Sequence, residues 1–222
     1  MHSRINLTHP FLESPRPSSC PSNRLKSQFA CPQGRLGGLV GRLMAFKNAG
    51  MNRFAVETLA PQPPDQILEI GFGHGRTLQW LAERAHQGLV AGVDLSSVMV
   101  RQAARRNREK IMAGRVEVCQ GSVANLPYEY ARFDKVLAVN NYQFWPNAEF
   151  NLVEIQRVLR QDGLLVLCLQ MKEPGKSLQF APGFSQEEVA EAAGLVRWVG
   201  FRDVKITRRR AGYETACVTA RR

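Results

Sequence analysis

The string Gln66-Ile-Leu-Glu-Ile-Gly-Phe-Gly-His-Gly75 ends an aliphatic run in three glycines at alternate positions, Gly71, Gly73 and Gly75, and passes straight into a helical pattern. A Cβ at such a bend would hold a ligand off the backbone, so three glycines there point to a bound molecule; a tight turn alone explains only one. The next aliphatic run, Leu89-Val-Ala-Gly-Val93, ends in Asp94. An acid at a strand terminus can accept hydrogen bonds from both hydroxyls of a ribose, and charge-assisted bonds of this kind are worth about 1.5 to 3 kcal/mol each. Taken alone, Asp94 could equally cap the helix that begins near Ser96. Beside the glycine turn, the ribose role is favoured, and the pair describes a site for a nucleotide-like cofactor outside the carboxyl ends of the strands.

Those residues need a scaffold that brings two strand ends together. Strand-like and helix-like segments alternate along the chain: strand 66–70, helix 75–86, strand 89–93, helix 96–111, strands 115–119 and 134–139, helix 148–160, strand 164–170. Such alternation marks βαβ units and a parallel sheet with helices on both faces. Leu78, Leu81, Ala82 and Ala85 share one face of the helix at 75–86; Leu152, Ile155 and Leu159 share one at 148–160. Upstream, Leu36, Leu39, Val40 and Leu43, then Met51, Phe54, Ala55 and Leu59, predict two amphipathic helical pieces before the Pro61 to Pro64 break. Downstream, Ser185-Gln-Glu-Glu188 reads as a capping box, Gly194 as the stop of its helix, and runs 203–209 and 213–220 as a hairpin across Ala211-Gly212. An antiparallel final strand at one end makes a mixed seven-stranded sheet, with Arg221 and Arg222 keeping its edge charged.

The choice of cofactor turns on the third glycine. A dinucleotide turn reads G-x-G-x-x-G, but here that last position is Arg76 and the third glycine comes one residue early. With Glu69 two residues before Gly71, the string E-x-G-x-G-x-G resembles the cofactor motif of class I S-adenosylmethionine-dependent methyltransferases. The resemblance spans about residues 36–220 and continues through Val93-Asp94-Leu-Ser-Ser, Gln120-Gly-Ser-Val-Ala-Asn-Leu-Pro127, Phe133-Asp-Lys-Val-Leu-Ala-Val-Asn-Asn141 and Val158-Leu-Arg-Gln-Asp-Gly-Leu-Leu-Val166, in an order similar to the methyltransferase type 11 group. It implies a Rossmann-like, doubly wound fold and S-adenosylmethionine as cofactor. On this resemblance Glu69 orients the methionine ammonium, Gly71, Gly73 and Gly75 form the turn, Asp94 holds the ribose and Leu95 covers an adenine face. Relatives place an acid toward the adenine amino group after the third strand; this chain has Ser122 there, so its hydroxyl or the backbone of Val123 takes that place. Asn140 matches the position at the methionine end, and Asn141, Tyr142 and Trp145 border the transferable methyl.

Methyl transfer from a sulfonium asks the protein for in-line alignment and exclusion of water, which can be worth about 7 to 11 kcal/mol. A base is needed only when the nucleophile starts protonated, and His74 and Tyr142 are the candidates. Their plainer readings are an exposed loop residue for His74 and a pocket wall for Tyr142. No His, Asp and Glu cluster has metal-ligand spacing, so no metal is expected.

Composition bounds the rest. The 222 residues suffice for one core, and no apolar run reaches membrane-spanning length. Residues 1–35 are rich in proline, serine and arginine without hydrophobic periodicity and are expected to be a disordered extension, leaving 36–222 as the methyltransferase domain. Cys20, Cys31, Cys119, Cys168 and Cys217 form no C-x-x-C pair, and the last three read as buried thiols of a cytoplasmic protein. The net charge of +11 favours acidic partners in general. Arg101, Arg105, Arg106, Arg108 and Lys110 read as a solvated helix face, because no aromatic residue interleaves with them in sequence. Asn140-Asn141-Tyr142 is similar in outline to the N-P-P-Y motif of amino-group DNA methyltransferases but lacks its prolines, and DNA is discounted. The leading expectation is a small-molecule acceptor, apolar or aromatic, met by Phe72, Tyr142, Phe144, Trp145, Phe180 and Phe184, in a monomer or homodimer. Methylation of RNA or protein and a non-catalytic cofactor-binding module are the alternatives.

Overall fold

The computed structural model describes residues 48–173 and 183–222. The expected extension at 1–35, the apolar positions Leu36, Leu39, Val40 and Leu43, Cys20, Cys31 and Phe180 lie outside the described residues. The chain runs through α1 (Ala49–Leu59), β1 (Gln66–Ile70), α2 (Arg76–Arg84), β2 (Leu89–Asp94), α3 (Ser97–Arg106), α4 (Arg108–Met112), β3 (Val116–Gln120) and β4 (Phe133–Val139). A 3-10 turn (Tyr142–Phe144) then leads to α5 (Ala148–Val158), β5 (Leu159–Gln170), α6 (Gln186–Trp198), β6 (Arg202–Arg210) and β7 (Glu214–Arg221).

Seven strands form one sheet in the order β3-β2-β1-β4-β5-β7-β6. β1 pairs in parallel with both β2 and β4, so the strand order reverses at β1 and β4, where an open α/β sheet leaves a crevice above its carboxyl ends. Ile67 and Leu68 of β1 are fully buried, as expected for a parallel strand covered on both faces. One face is sealed by Met51, Phe54 and Leu59 of α1, Leu78 and Leu81 of α2, and Met99 and Ala103 of α3. Leu152, Ile155 and Val158 of α5 with Val189, Ala192 and Val196 of α6 seal the other. Among the described residues no helix is long and apolar enough to cross a membrane.

Four expectations are corrected by packing. The helix expected at 96–111 is two helices, α3 and α4, parted at Asn107. The buried Asn107 amide donates to the carbonyls of Ala103 at 3.0 Å and Gly75 at 2.9 Å, which ties the break to the glycine turn. Gly194 does not stop α6, since a Cβ there would meet open space; the helix runs on to Trp198 and the chain turns at Gly200, with φ +105°. α5 ends at Val158 and β5 begins at once at Leu159, earlier than the strand expected at 164. The final strand β7 is not at the edge. It lies antiparallel between β5 and β6, because β6 enters from α6 in the parallel sense and its hairpin return fills the gap. The charged edge is therefore β6, with Arg202, Lys205, Arg208, Arg209 and Arg210, which still blunts edge pairing.

Candidate active site

The glycine turn sits on the carboxyl end of β1, and all three glycines adopt left-handed φ: +67° at Gly71, +56° at Gly73 and +79° at Gly75. Each faces a different neighbour. A Cβ on Gly71 would fall 2.3 Å from Asn141 Nδ2, one on Gly75 2.6 Å from the Ala103 side chain, and one on Gly73 would meet nothing within 4 Å. Gly71 therefore admits the β4 loop and Gly75 lets α2 pack on α3. Only Gly73 presents bare backbone to an open space. Neighbouring backbone fixes the turn: Gly71 N–H donates to the Val93 carbonyl at 2.7 Å and Gly75 N–H to that of Phe72 at 3.1 Å, while Arg106 Nε donates to the His74 carbonyl at 3.1 Å.

Asp94 joins the two strand ends. Its Oδ2 accepts the Gly73 N–H and its Oδ1 the Ser96 N–H, each at 2.8 Å. The helix cap is Ser96 itself, whose Oγ accepts the Met99 N–H, which disposes of the capping role considered for Asp94. Each carboxylate oxygen keeps a second lone pair for a hydroxyl. Beside it lies Leu95, 38% exposed and thus free to cover a ring. Burial pushes the Asp94 carboxyl up from 3.8 to about 6, with the Ser96 and Gly73 bonds opposing the shift.

Glu69 is buried in β1 and its Oε2 has no hydrogen-bond partner. Burial first, then the nearby charge of Asp94, holds this carboxyl well above the usual range, against the hydrogen bond from Thr77. A buried carboxylate with an unpaired oxygen is costly unless a cation or donor reaches it. Two acids and a bare glycine backbone within one crevice suit a positively charged ligand that carries a ribose. The cofactor expected from the sequence, with its ammonium, sulfonium and adenosine, fits these residues.

On the β4 side it is Asn141, and not Asn140, whose side chain reaches the glycine turn. Asn140 takes φ +52° to turn the chain, its N–H donates to the Cys168 carbonyl at 2.8 Å, and its own carbonyl accepts Gln143 Nε2 at 3.0 Å. The Asn141 side chain is the one that reaches the glycine turn, with Nδ2 donating to the Ile70 carbonyl and Oδ1 buried without a partner. Adjacent Asn residues give sequence reasoning no means of choosing between them. Sequence reasoning misses Thr77 and Asn107 and takes Arg106 only as part of a solvated helix face, because their partners lie across the fold or within a helix whose register is read only for apolar positions.

Tyr142 packs against Trp145 with ring centres 5.2 Å apart and against Phe184 at 6.0 Å. Burial among these rings pushes its hydroxyl further from ionisation. Phe144 is half-buried in the same turn. His74 is 9% exposed, so the exposed-loop reading is set aside. Phe72 does not line the crevice: it is buried beneath the turn, where a Cβ on Gly92 would strike its ring at 2.6 Å. Ser122 Oγ accepts the Ala124 N–H at 3.2 Å, and the Val123 side chain joins the core, leaving only its backbone for a ligand.

A strand order with one antiparallel insertion next to the end, and a crevice of this make-up at the switch point, define a Rossmann-like methyltransferase. Residues 67–163 match the family model described as a methyltransferase domain. The chain is 30% identical over 185 residues to the uncharacterized methyltransferase YdaC of Bacillus subtilis, covering 83% of this chain and 98% of that protein. It is 35% identical over 98 residues to the fatty-acid O-methyltransferase of Mycolicibacterium smegmatis, which is 44% of this chain and 34% of that enzyme. The fold is similar to that of the Burkholderia thailandensis 1,6-didemethyltoxoflavin-N1-methyltransferase, solved with its acceptor and S-adenosylhomocysteine, at a TM-score of 0.66 and 23% identity over 94% of this chain and 93% of that one. The chain belongs to the class I S-adenosylmethionine-dependent methyltransferases, and S-adenosylmethionine is its cofactor.

Proposed function

We propose that this enzyme methylates a small molecule with an apolar or aromatic body, in the cytoplasm. The observation that carries the reading is the crevice at the β1–β4 switch point. An unpartnered Glu69 oxygen and the Asp94 carboxylate face a bare Gly73 on one side, and the Tyr142, Trp145 and Phe184 rings stand on the other. The cofactor, when bound, supplies a methyl already made electrophilic by its sulfonium. Glu69 meets the ammonium, Asp94 the ribose hydroxyls, Leu95 an adenine face and the Ser122 hydroxyl or Val123 backbone the adenine edge. The turn of Gly71, Gly73 and Gly75 fixes the backbone beneath, while Asn140 sets the course of the loop and Asn141 holds it against Gly71.

The rings exclude water and align the acceptor, which is where most of the rate is gained. Where the acceptor carries a proton, His74 of the glycine turn is the candidate to take it. Tyr142, pushed away from ionisation, serves as a hydrogen-bond donor. Support for an apolar acceptor comes from the partial match to a fatty-acid O-methyltransferase, and support for a planar one from the fold shared with a toxoflavin N-methyltransferase. The free thiols Cys119, Cys168 and Cys217 suit a reducing compartment.

Incubation with methyl-labelled S-adenosylmethionine and a panel of long-chain fatty acids, phenols and nitrogen heterocycles tests the reading. Label is expected in at least one apolar or aromatic acceptor. Label confined to RNA or protein, or tight S-adenosylhomocysteine binding without any transfer, would overturn the acceptor class while leaving the cofactor site standing.

A further inference from the structure

The side of the molecule covered by α1 and α2 carries a second feature, apart from the crevice. Arg76, Trp80 and Arg84 recur at every fourth position of α2 and so form one stripe along it. Arg53 and Val56 of α1 stand opposite, and together with Trp80, Glu83 and Arg84 they line a recess of about 240 Å³ between the helices. The guanidinium carbons of Arg53 and Arg76 each stand 6.0 Å from the centre of the Trp80 ring. Arginines seated on rings elsewhere in the protein come closer, 4.4 Å for Arg209 on Phe54 and for Arg222 on Tyr130. At the limit of useful cation–π attraction, the indole is flanked rather than covered.

These cations also lack the acids that hold their counterparts. Arg160, Arg202 and Arg209 each meet a carboxylate at 2.7 Å or less. Among the described residues Arg53 and Arg76 have neither a carboxylate nor a hydrogen-bond partner, and Arg84 donates only to the Trp80 carbonyl at 3.2 Å. Glu83, at the rim, is paired with Lys110 at 3.8 Å. That pair brings α4 beside α2, and α3 and α4 carry the further exposed cations Arg101, Arg105 and Arg108.

We propose that this recess binds single-stranded nucleic acid, with one base on the Trp80 indole and the adjoining phosphates between Arg53, Arg76 and Arg84. A flat ring joined to an anion is what such a set recognises: stacking needs only a π face, and guanidinium forks pair with phosphate oxygens. An anionic membrane would ask for a protruding aromatic, whereas Trp80 is half-buried in a concavity. The recess is a docking place distinct from the proposed acceptor wall, since none of its lining residues belongs to the glycine turn or to the Tyr142, Trp145 and Phe184 rings.

Fluorescence anisotropy of a labelled oligouridylate of about ten nucleotides with the full chain, over a range of salt, tests this. Trp80→Ala is expected to weaken binding about 5- to 150-fold. The double change Arg53→Ala with Arg76→Ala should lower the slope of log affinity against log salt by about 1.4 for two lost phosphate contacts. Trp198→Ala, which removes an exposed indole elsewhere, should bind as the unaltered chain does, and every variant should keep its S-adenosylhomocysteine affinity by calorimetry. The arginine pair decides the matter even where Trp80→Ala fails to fold. Undiminished binding by the arginine pair or by a folded Trp80→Ala overturns the proposal, as does competition by free uridine monophosphate or phosphatidylserine vesicles as strong, per phosphate, as that of unlabelled oligouridylate.

Discussion

The two walls of the crevice are built on different principles. On the β1–β2 side the contacts run through backbone: Gly71, Gly73 and Ser96 N–H groups close on β2, and two buried carboxyls supply the charge. On the β4–β5 side the proposed acceptor wall is made of rings, with Tyr142 packed against Trp145 and Phe184. A wall of backbone and buried charge recognises one shape and one sign, and has little room to vary. A wall of packed rings can be exchanged ring by ring, as a fold that serves many acceptors requires.

If that contrast is right, damage to the backbone wall should be severe and damage to the ring wall selective. Gly71→Ala is expected to do the most harm. Its Cβ would displace Asn141, and the left-handed φ alone costs about 1 to 2 kcal/mol, so urea unfolding should show a loss above about 2 kcal/mol. Gly73→Ala sharpens the point: with nothing within 4 Å, it should lose stability only by the φ cost while S-adenosylhomocysteine affinity falls further. Equal losses at both sites would mean that the space over Gly73 is not the cofactor's.

Asp94→Ala removes the acceptor of two backbone N–H groups and of the proposed ribose contact. Calorimetry should show at least a tenfold loss of S-adenosylhomocysteine affinity, about 1.4 kcal/mol, with the circular dichroism spectrum retained. Unchanged affinity would end the ribose assignment.

The pH response has a smaller effect and a definite sign. The Asp94 pKa rises from 3.8 to about 6 on folding, so between those values the folded chain holds a proton that the unfolded chain has lost. This carboxyl therefore favours folding at the acid end of that window and opposes it as pH rises through 6. Cofactor affinity should run the other way and weaken as pH falls through about 6, because a protonated Asp94 offers no charge to the ligand. A flat affinity profile from pH 5 to 8, read by calorimetry, would contradict the burial assigned to Asp94.

The smallest effect belongs to the ring wall. Trp145→Ala should raise KM severalfold for any acceptor that the labelling panel reveals and leave the cofactor Kd unmoved. A change in Kd instead would merge the two walls into one.

The backbone wall was largely legible in the sequence because its chemistry is local. Glu69, Gly71, Gly73 and Gly75 lie within one strand-to-turn segment, and Asp94 ends the next strand, so alternation of strands and helices is enough to bring them together. Element types were legible for the same reason: hydrophobic periodicity reports which face is buried. The ends of elements were not. Gly194 looked like a stop, but a helix with packed neighbours on both sides of a glycine continues, and the break at Asn107 depends on a carbonyl of the glycine turn thirty-two residues away.

Sequence by itself determined the βαβ framework, which follows from hydrophobic periodicity, and the class of cofactor, which the resemblance carried by the Glu69 to Gly75 string implies. Only the tertiary structure decided that β7 lies inside β6, that Asn141 rather than Asn140 meets the glycine turn, that Phe72 belongs to the core, and that Trp80 stands among arginines from two helices. All four are contacts between segments distant along the chain. Such contacts are set by which surfaces must be buried together, a choice that packing makes over the whole molecule and that no local pattern encodes.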